Sequence, residues 1–261
     1  LQCDSLRDGP LRALRGAARM VTGTLGVLQA MRAGAPDVLL VTGGYVSVPA
    51  ALAARLAGVP LAVYLPDVRP GRAVAALARL ADRILVTNEA SGAFLPAGRV
   101  TITGYPVRSV VRQASRPAAR SRLGVGPERL LLVFGGSQGA RRLNEAVAQA
   151  AARLVERCTI LHVAGPRGSA DAEARRAAMP ADVRAKYRVE PYLDGDAMAD
   201  ALAAADLVVC RAGASVLGEL PARALPAILV PLPISGGHQQ PNADVLEAAG
   251  AAVVVADGAL D

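Results

Sequence analysis

Leu130-Leu131-Leu132-Val133-Phe134-Gly135-Gly136-Ser137-Gln138-Gly139-Ala140, followed by Arg141 and a segment of helical character, decides how the rest of the chain is read. Five apolar residues in a row suit a strand buried on both faces. A glycine-rich turn then opens a helix. Strand, glycine turn and helix N-terminus together make an arrangement that holds phosphate. Backbone N–H groups point at the anion, the helix dipole favours it, and glycine lets the backbone come close. The Ser137 hydroxyl adds a further hydrogen bond. The pattern is neither Gly-x-Gly-x-x-Gly nor a P-loop, because no Gly-Lys-Ser/Thr is present. A tight turn with a capping serine is the alternative reading.

On both sides of this stretch, short apolar runs alternate with Ala/Arg/Leu segments. The strands expected are 38–42, 61–65, 83–87 and 100–103 in the first half. In the second half they are 130–134, 159–164, 187–190, 207–210, 227–230 and 252–255. Helices are expected between them, among them 49–56, 72–81, 141–157 and 215–224. This alternation predicts parallel sheets covered on both faces. The stretch 112–120 has no apolar period and reads as a linker. The expected organisation is two α/β domains, 1–112 and 113–261, with a cleft between them. The first opens in an Arg-rich helix-like stretch (7–19) rather than a strand, and residues 257–261 stop just after a strand. The chain therefore reads as a fragment incomplete at both ends.

Of the 261 residues, 52% are apolar and 20% charged, enough for a sizeable core and too apolar for a disordered chain. Aromatics are 3% with no Trp, so Ala, Val and Leu must fill the core. Cys3, Cys158 and Cys210 have no paired spacing and make neither a disulfide framework nor a zinc site. The uncharged stretches 38–54 and 224–243 are broken by Gly, Pro and polar residues, so neither is a spanning helix. No signal peptide is evident, because Arg7, Arg12, Arg15 and Arg19 interrupt the apolar positions. The chain reads as soluble or peripheral. Its formal charge of +7 is unevenly placed: residues 1–112 hold 13 Arg against 6 Asp or Glu, and residues 113–261 hold 16 basic against 16 acidic residues. A basic face can meet nucleic acid, anionic lipid or a phosphorylated substrate. With few aromatics to stack bases, single-stranded nucleic acid is the least supported of these.

Further polar loops follow later strands. Arg211-Ala212-Gly213-Ala214-Ser215 opens a helix, with Glu219 one turn inside on the side of Ser215. A carboxylate there can take ribose hydroxyls or simply complement the helix dipole. Pro231-Leu232-Pro233 leads to Gly236-Gly237-His238-Gln239-Gln240-Pro241-Asn242-Ala243, rich in side chains that both donate and accept. Asp194-Gly195-Asp196 spells a metal-binding Asp-x-Asp. No acidic or His cluster lies beside it, and Asp196 suits the cap of a helix over 197–204. His162 and His238 make no metal site.

Five ordered motifs carry a resemblance over essentially the whole chain. They are Gly43-Gly44-Tyr45-Val46-Ser47-x-Pro49, Gly104-x-Pro106-Val107-Arg108, Gly135-Gly136-Ser137-Gln138-Gly139-Ala140-Arg141, Arg211-Ala212-Gly213-Ala214 with Glu219, and Gln239-x-x-Asn242-Ala243. In these the chain resembles the MurG family of N-acetylglucosaminyltransferases, which make lipid II of peptidoglycan. The resemblance implies a GT-B fold, two Rossmann-like doubly wound parallel-sheet domains facing across a cleft. It implies an inverting transfer from UDP-N-acetylglucosamine to a lipid-linked diphosphate acceptor, without metal or other cofactor. The place implied is the cytoplasm, peripheral on the inner face of the plasma membrane. Ser137 and Arg108 would contact the diphosphate, and Leu193 the uracil. Ala214, Ser215, Val216, Leu217, Gly218 and Glu219 would take phosphate and ribose, with Glu219 on the ribose hydroxyls. Gln239 would bind the sugar and Asn242 support its loop.

Three departures stand out. The family's N-terminal Gly-Gly-Thr-Gly-Gly-His loop is absent from the sequence. Tyr64-Leu65-Pro66-Asp67 stands where the family has His-Glu-Gln-Asn, and Tyr105 where it has Asn. Asp67 is the carboxylate expected to face the cleft and is the candidate base. A transferase with a different acceptor, a UDP-sugar 2-epimerase on the same fold, and a nucleotide-sugar-binding domain without catalysis are the competing readings.

Overall fold

The computed structural model describes residues 10–136, 140–233 and 237–260, and of residues 10–15 and 17 the backbone alone. The chain divides into two compact units, Leu1–Gly104 and Tyr105–Asp261.

The first unit begins with α1 (Pro10–Gly34), longer than the expected 7–19. It continues with β1 (Leu39–Val41), α2 (Ser47–Ala57), β2 (Leu61–Leu65), α3 (Arg72–Leu80), β3 (Arg83–Val86), a short 3-10 turn and β4 (Val100–Ile102). The strands pair in parallel in the order β1-β2-β3-β4. Alternate residues of β2 (Leu61, Val63, Leu65) are buried with Ile84, Val86 and Leu77. The inner face of α1, through Leu28 and Met31, packs on Ala53 and Ala54 of α2.

The second unit holds α4 (Ser109–Gln113), α5 (Arg116–Leu123), β5 (Leu130–Phe134), α6 (Arg141–Leu154), β6 (Thr159–Val163), α7 (Ser169–Ala177), α8 (Ala181–Lys186) and β7 (Tyr187–Glu190). It ends with α9 (Gly195–Ala204), β8 (Leu207–Cys210), α10 (Val216–Ala222), β9 (Ala227–Leu229), α11 (Gln239–Ala248) and β10 (Ala252–Val254). The sheet is parallel, in the order β10-β9-β8-β5-β6-β7. Central β5 sends Leu130 and Leu132 into one core and Leu131 and Val133 into the other, so it reads as an unbroken apolar run.

The stretch 112–120 is not a linker. It is the end of α4 and most of α5. Arg116 donates to the Ala205 carbonyl at 2.7 Å and Arg120 to the Ala204 carbonyl at 2.9 Å. In α5 only Ala119 is buried, so no apolar period marks the helix. Val111 lies in the core of the second unit, and the division into units falls before Tyr105 rather than after residue 112.

Each unit carries the same corner, an Ala-Asp pair leading into a strand. In the first, Asp82 donates its N–H to the Leu61 carbonyl at 2.8 Å, and its carboxylate accepts the Leu61 N–H at 2.8 Å. In the second, Asp206 does the same with Leu130, at 2.9 and 2.8 Å. Each aspartate thereby fastens the start of one strand to the start of its neighbour and satisfies an otherwise unpaired strand N–H.

Candidate functional site

The order of the six-stranded sheet reverses between β5 and β8. From β5 the chain moves outward to β6 and β7, then returns to β8, β9 and β10 on the other side. Open α/β sheets take ligands at the carboxyl ends of the strands flanking such a switch point. The two loops there are Gly135–Gly136, which leads into the glycine-rich turn, and 211–215. Ser137 itself lies outside the described residues, as do Gln138 and Gly139. Arg211 secures the second loop from beneath: buried, it donates to the Val230 carbonyl at 3.2 Å and pairs with Asp257 at 2.6 Å.

A cavity of about 230 Å³ opens at this edge. Phe134 and Gly136 line it from β5, Gly165 and Pro166 from the turn after β6, and Tyr192, Leu193 and Asp194 from the turn after β7. Met198, Ser215, Glu219 and Arg108 complete it. Of the residues expected from sequence, Arg108, Leu193, Ser215 and Glu219 thus share one cavity. Tyr192 and Met198 were not foreseen: an exposed aromatic and a half-buried Met carry no motif of their own. A larger cavity, about 450 Å³, lies between α6 and α7. Four of its charged side chains are already paired within their helices, Arg141 with Glu145 and Arg175 with Asp171, both at 2.9 Å. Its lining, which includes Ala140, Asn144, Ala164 and Gly168, does not reach the loop after β8, whereas the smaller cavity is lined from the loops after both β5 and β8 and is the candidate site.

Arg108 and Glu219 meet inside the site, Nη2 to Oε1 at 3.2 Å. The Glu219 side chain is 16% exposed and that of Arg108 48%. Glu219 sits in the first turn of α10, where the helix dipole favours a negative charge. The remaining α10 positions play another part. Val216 and Gly218 are buried, and Leu217 packs on the core. The Val216 and Leu217 N–H groups donate to the Gly213 and Ala214 carbonyls. Gly218 is required by its neighbour: a Cβ there would lie 2.6 Å from Tyr105 Cβ and 2.7 Å from its ring. Tyr105 is thus seated on the helix that carries Glu219.

Gln239 and Asn242 brace the loops. The side-chain Oε1 of Gln239 accepts the Leu232 N–H at 2.9 Å, and the side chain of buried Asn242 donates to the Ala212 carbonyl at 3.1 Å. Neither lines the cavity. The cap of α9 is Asp194, which accepts the Ala197 N–H at 2.9 Å, and not Asp196, which lies in the first turn. The helix starts at Gly195, two residues earlier than expected, which moves the cap with it. Asp67 follows β2 in the first unit. Nearby Tyr64 has its phenol pushed up by burial, with the Asp67 charge adding to the effect against the Thr87 hydrogen bond.

The turn after β6 rests on a buried polar chain. His162 Nδ1 is 2.8 Å from the Tyr187 hydroxyl and Nε2 is 3.0 Å from Asn144 Oδ1, while Asn144 Nδ2 donates to the Ala164 carbonyl at 2.9 Å. Burial lowers the His162 pKa to about 4 and pushes that of Tyr187 up to about 12. His162 is neutral in the fold but would accept a proton near pH 6.5 when unfolded. Its contribution is complete above pH 6.5 and is lost as pH falls toward 4. A loss of ~3 kcal/mol across that window is expected. Urea unfolding at pH 7, 6 and 5 measures the slope, and His162→Gln should flatten it.

Residues 130–261 match the glycosyltransferase family 28 C-terminal domain. The whole chain is similar to a protein of Roseiflexus sp. (strain RS-1) named UDP-N-acetylglucosamine--N-acetylmuramyl-(pentapeptide) pyrophosphoryl-undecaprenol N-acetylglucosamine transferase, at 41% identity over 96% of this chain and 64% of that protein. A protein of the same name from Symbiobacterium thermophilum is 37% identical, over 97% of this chain and 67% of its own length. The chain thus spans about two thirds of the length of such relatives. Among solved structures, Acinetobacter baumannii MurG superposes with a TM-score of 0.70 at 28% identity, over 93% of this chain and 66% of that one. A putative UDP-N-acetylglucosamine 2-epimerase from Listeria monocytogenes also reaches 0.70, but at 16% identity, which speaks for the fold alone. With its parallel sheets, its family 28 match and these relatives, the chain belongs to the MurG family of glycosyltransferases.

Proposed function

We propose that the chain is the greater part of an inverting glycosyltransferase that moves N-acetylglucosamine from UDP-N-acetylglucosamine to a lipid-linked muramyl-pentapeptide diphosphate. The observation that carries this reading is the meeting of Arg108, Leu193, Ser215 and Glu219 around one cavity at the switch point. In this reading Glu219 takes the ribose hydroxyls, the backbone at Leu193 reads uracil, and Arg108 with Ser137 holds the diphosphate. The backbone from Ala214 to Gly218 lies along phosphate and ribose, Gln239 meets the sugar, and Asn242 steadies its loop. An acceptor hydroxyl attacks the anomeric carbon opposite the diphosphate. The new C–O bond forms as the bond to UDP breaks, and the configuration inverts. The hydroxyl proton goes to a base, which we assign to Asp67. The charge developing on UDP is met by the Arg108 guanidinium once it turns from Glu219 to the diphosphate.

No metal enters this scheme, and the Asp194 carboxylate is already engaged in capping α9. UDP is expected to bind with the same Kd with and without EDTA in calorimetry. Loss of binding in EDTA would return Asp194 and Asp196 to the role of metal ligands. Transfer of labelled sugar from UDP-N-acetylglucosamine to the lipid-linked acceptor by the intact protein tests the whole reaction.

The acceptor reading places the protein on the cytoplasmic membrane surface. Among the described residues no helix is long and apolar enough to cross a membrane, so the contact proposed is peripheral. The basic excess lies in residues 1–112. On α1, Val21 and Leu25, one turn apart, are 59% and 58% exposed. The side chains of Leu11, Arg12, Leu14 and Arg15, expected at this contact, and all of Arg7 lie outside the described residues. Co-sedimentation with anionic vesicles is expected at low salt and should be lost at high salt, with ~1 kcal/mol per basic residue at the surface. Equal, negligible binding to neutral and anionic vesicles at low salt would favour a soluble acceptor.

A further inference from the structure

The Gly165–Pro166 wall of the cavity follows directly on one backbone carbonyl, that of Ala164. This carbonyl is held from α6 by Asn144, a buried side chain whose Nδ2 donates to it at 2.9 Å. The direction of every other bond in the chain follows from that one. With Nδ2 committed as donor, Asn144 Oδ1 must accept, so neutral His162 carries its proton on Nε2. Nδ1 is then an acceptor, and the Tyr187 hydroxyl donates to it. Tyr187, His162 and Asn144 therefore donate in one sense, and the series ends on the Ala164 carbonyl. Bonds aligned in this way polarise and strengthen one another in a buried setting.

Gly168 leaves the room this requires. A Cβ there would run into Asn144 Nδ2 and would lie 2.9 Å from the Ala164 oxygen. Its φ of −106° is open to any residue, so the need for glycine is one of space and not of backbone freedom. Gly168 also donates its N–H to the Gly165 carbonyl at 3.0 Å, closing the turn that forms the wall.

We propose that Asn144 is a positioning residue for the nucleotide cavity: oriented by His162 and Tyr187, it fixes the Ala164 carbonyl and through it the Gly165–Pro166 wall. The inference rests on reading that cavity as the UDP site. It separates position along the chain from mere burial. The Asn144 end should matter to binding and the Tyr187 end to folding.

The test uses the full chain, UDP as probe in calorimetry, and thermal unfolding alongside. Asn144→Asp keeps the acceptor for His162 and replaces the donor to Ala164 by a carboxyl that donates only while protonated, so it is read at pH 8, where the carboxylate leaves Ala164 without a donor. Its UDP Kd is expected to rise about tenfold, the scale of one hydrogen bond. Gly168→Ala removes no hydrogen-bonding group but crowds the same contact, and a similar rise is expected. Tyr187→Phe leaves the Asn144–Ala164 bond in place, so it should lower the unfolding midpoint while Kd stays within about threefold. Unchanged UDP affinity in Asn144→Asp and Gly168→Ala would overturn the proposal. So would affinity losses that rank with the unfolding midpoints in all three variants, since that is the pattern of a purely structural network. Failure of the parent chain to bind UDP would overturn the site reading itself, and the proposal with it.

Discussion

Glu219→Ala is expected to weaken uridine by ~1.5–3 kcal/mol, the range for hydrogen bonds to a charged group, and to weaken 2′-deoxyuridine much less. The carboxylate is 16% exposed, so water cannot replace it cheaply at the ribose hydroxyls. The expectation for UDP differs because Glu219 already has a partner within the site. Its ion pair with Arg108 at 3.2 Å must open if both residues are to meet the nucleotide. Removing Glu219 leaves Arg108 free for the diphosphate, which offsets part of the loss. The deficit should therefore be smaller for UDP than for uridine, and Glu219→Gln should fall between parent and Ala. Calorimetry with uridine, 2′-deoxyuridine and UDP separates the terms. Equal weakening of uridine and its deoxy analogue would confine Glu219 to holding Arg108 and complementing the helix dipole.

Asp206→Ala should destabilise the second unit by ~2–3 kcal/mol, because it strips a buried strand N–H and two arginines of their acceptor. The Leu130 N–H dominates. The ion pair with Arg116 is solvent-exposed on both sides and adds little. Arg120 is better covered, and it also spans the carbonyls of Ala204, Gly126 and Glu128. Burial pushes the Asp206 carboxyl up. The Leu130 N–H and the arginines outweigh it and hold the pKa below the usual carboxylate range. This stabilisation is therefore present at neutral pH and is lost as pH falls below the ordinary carboxylate pKa through the folded one. Asp206→Asn keeps an oxygen for Leu130 and should lose about 1 kcal/mol. Urea unfolding followed by hydrogen exchange in β5 and β8 measures both. A loss well under 1 kcal/mol for Asp206→Ala would show that water replaces the carboxylate at Leu130.

The ten strands among the described residues were legible because most are short apolar runs, and the central ones, such as β5 and β6, are buried along their whole length. Helices held by something other than an apolar face were not. α5 hangs on arginines that reach backbone carbonyls, and only Ala119 marks its inner side. At the site, Ser215 and Glu219 stood out because they follow a strand in a stretch of distinctive composition, and Arg108 and Leu193 came through the family resemblance. The Arg108–Glu219 pair could not be read, because 111 residues separate its members and nothing local couples them. The same holds for Tyr105 on Gly218 and for the chain from Tyr187 to Ala164. In both, polar and small residues meet only once the sheet has brought distant segments together.

The two aspartate corners look alike but join very different stretches of chain. In the first unit the clamp spans 21 residues, between consecutive strands; in the second it spans 76, because β6 and β7 intervene between β5 and β8. Loop-closure entropy grows with the logarithm of length, so the longer clamp costs about 1 kcal/mol more to close from the unfolded chain. The shorter can form within a single strand–helix–strand hairpin as it is made. The longer has to wait for the outward half of its sheet and then capture the returning strand. The switch point, where the candidate site lies, is thus sealed at its amino end by a long-range contact that only the returning half of the sheet can supply.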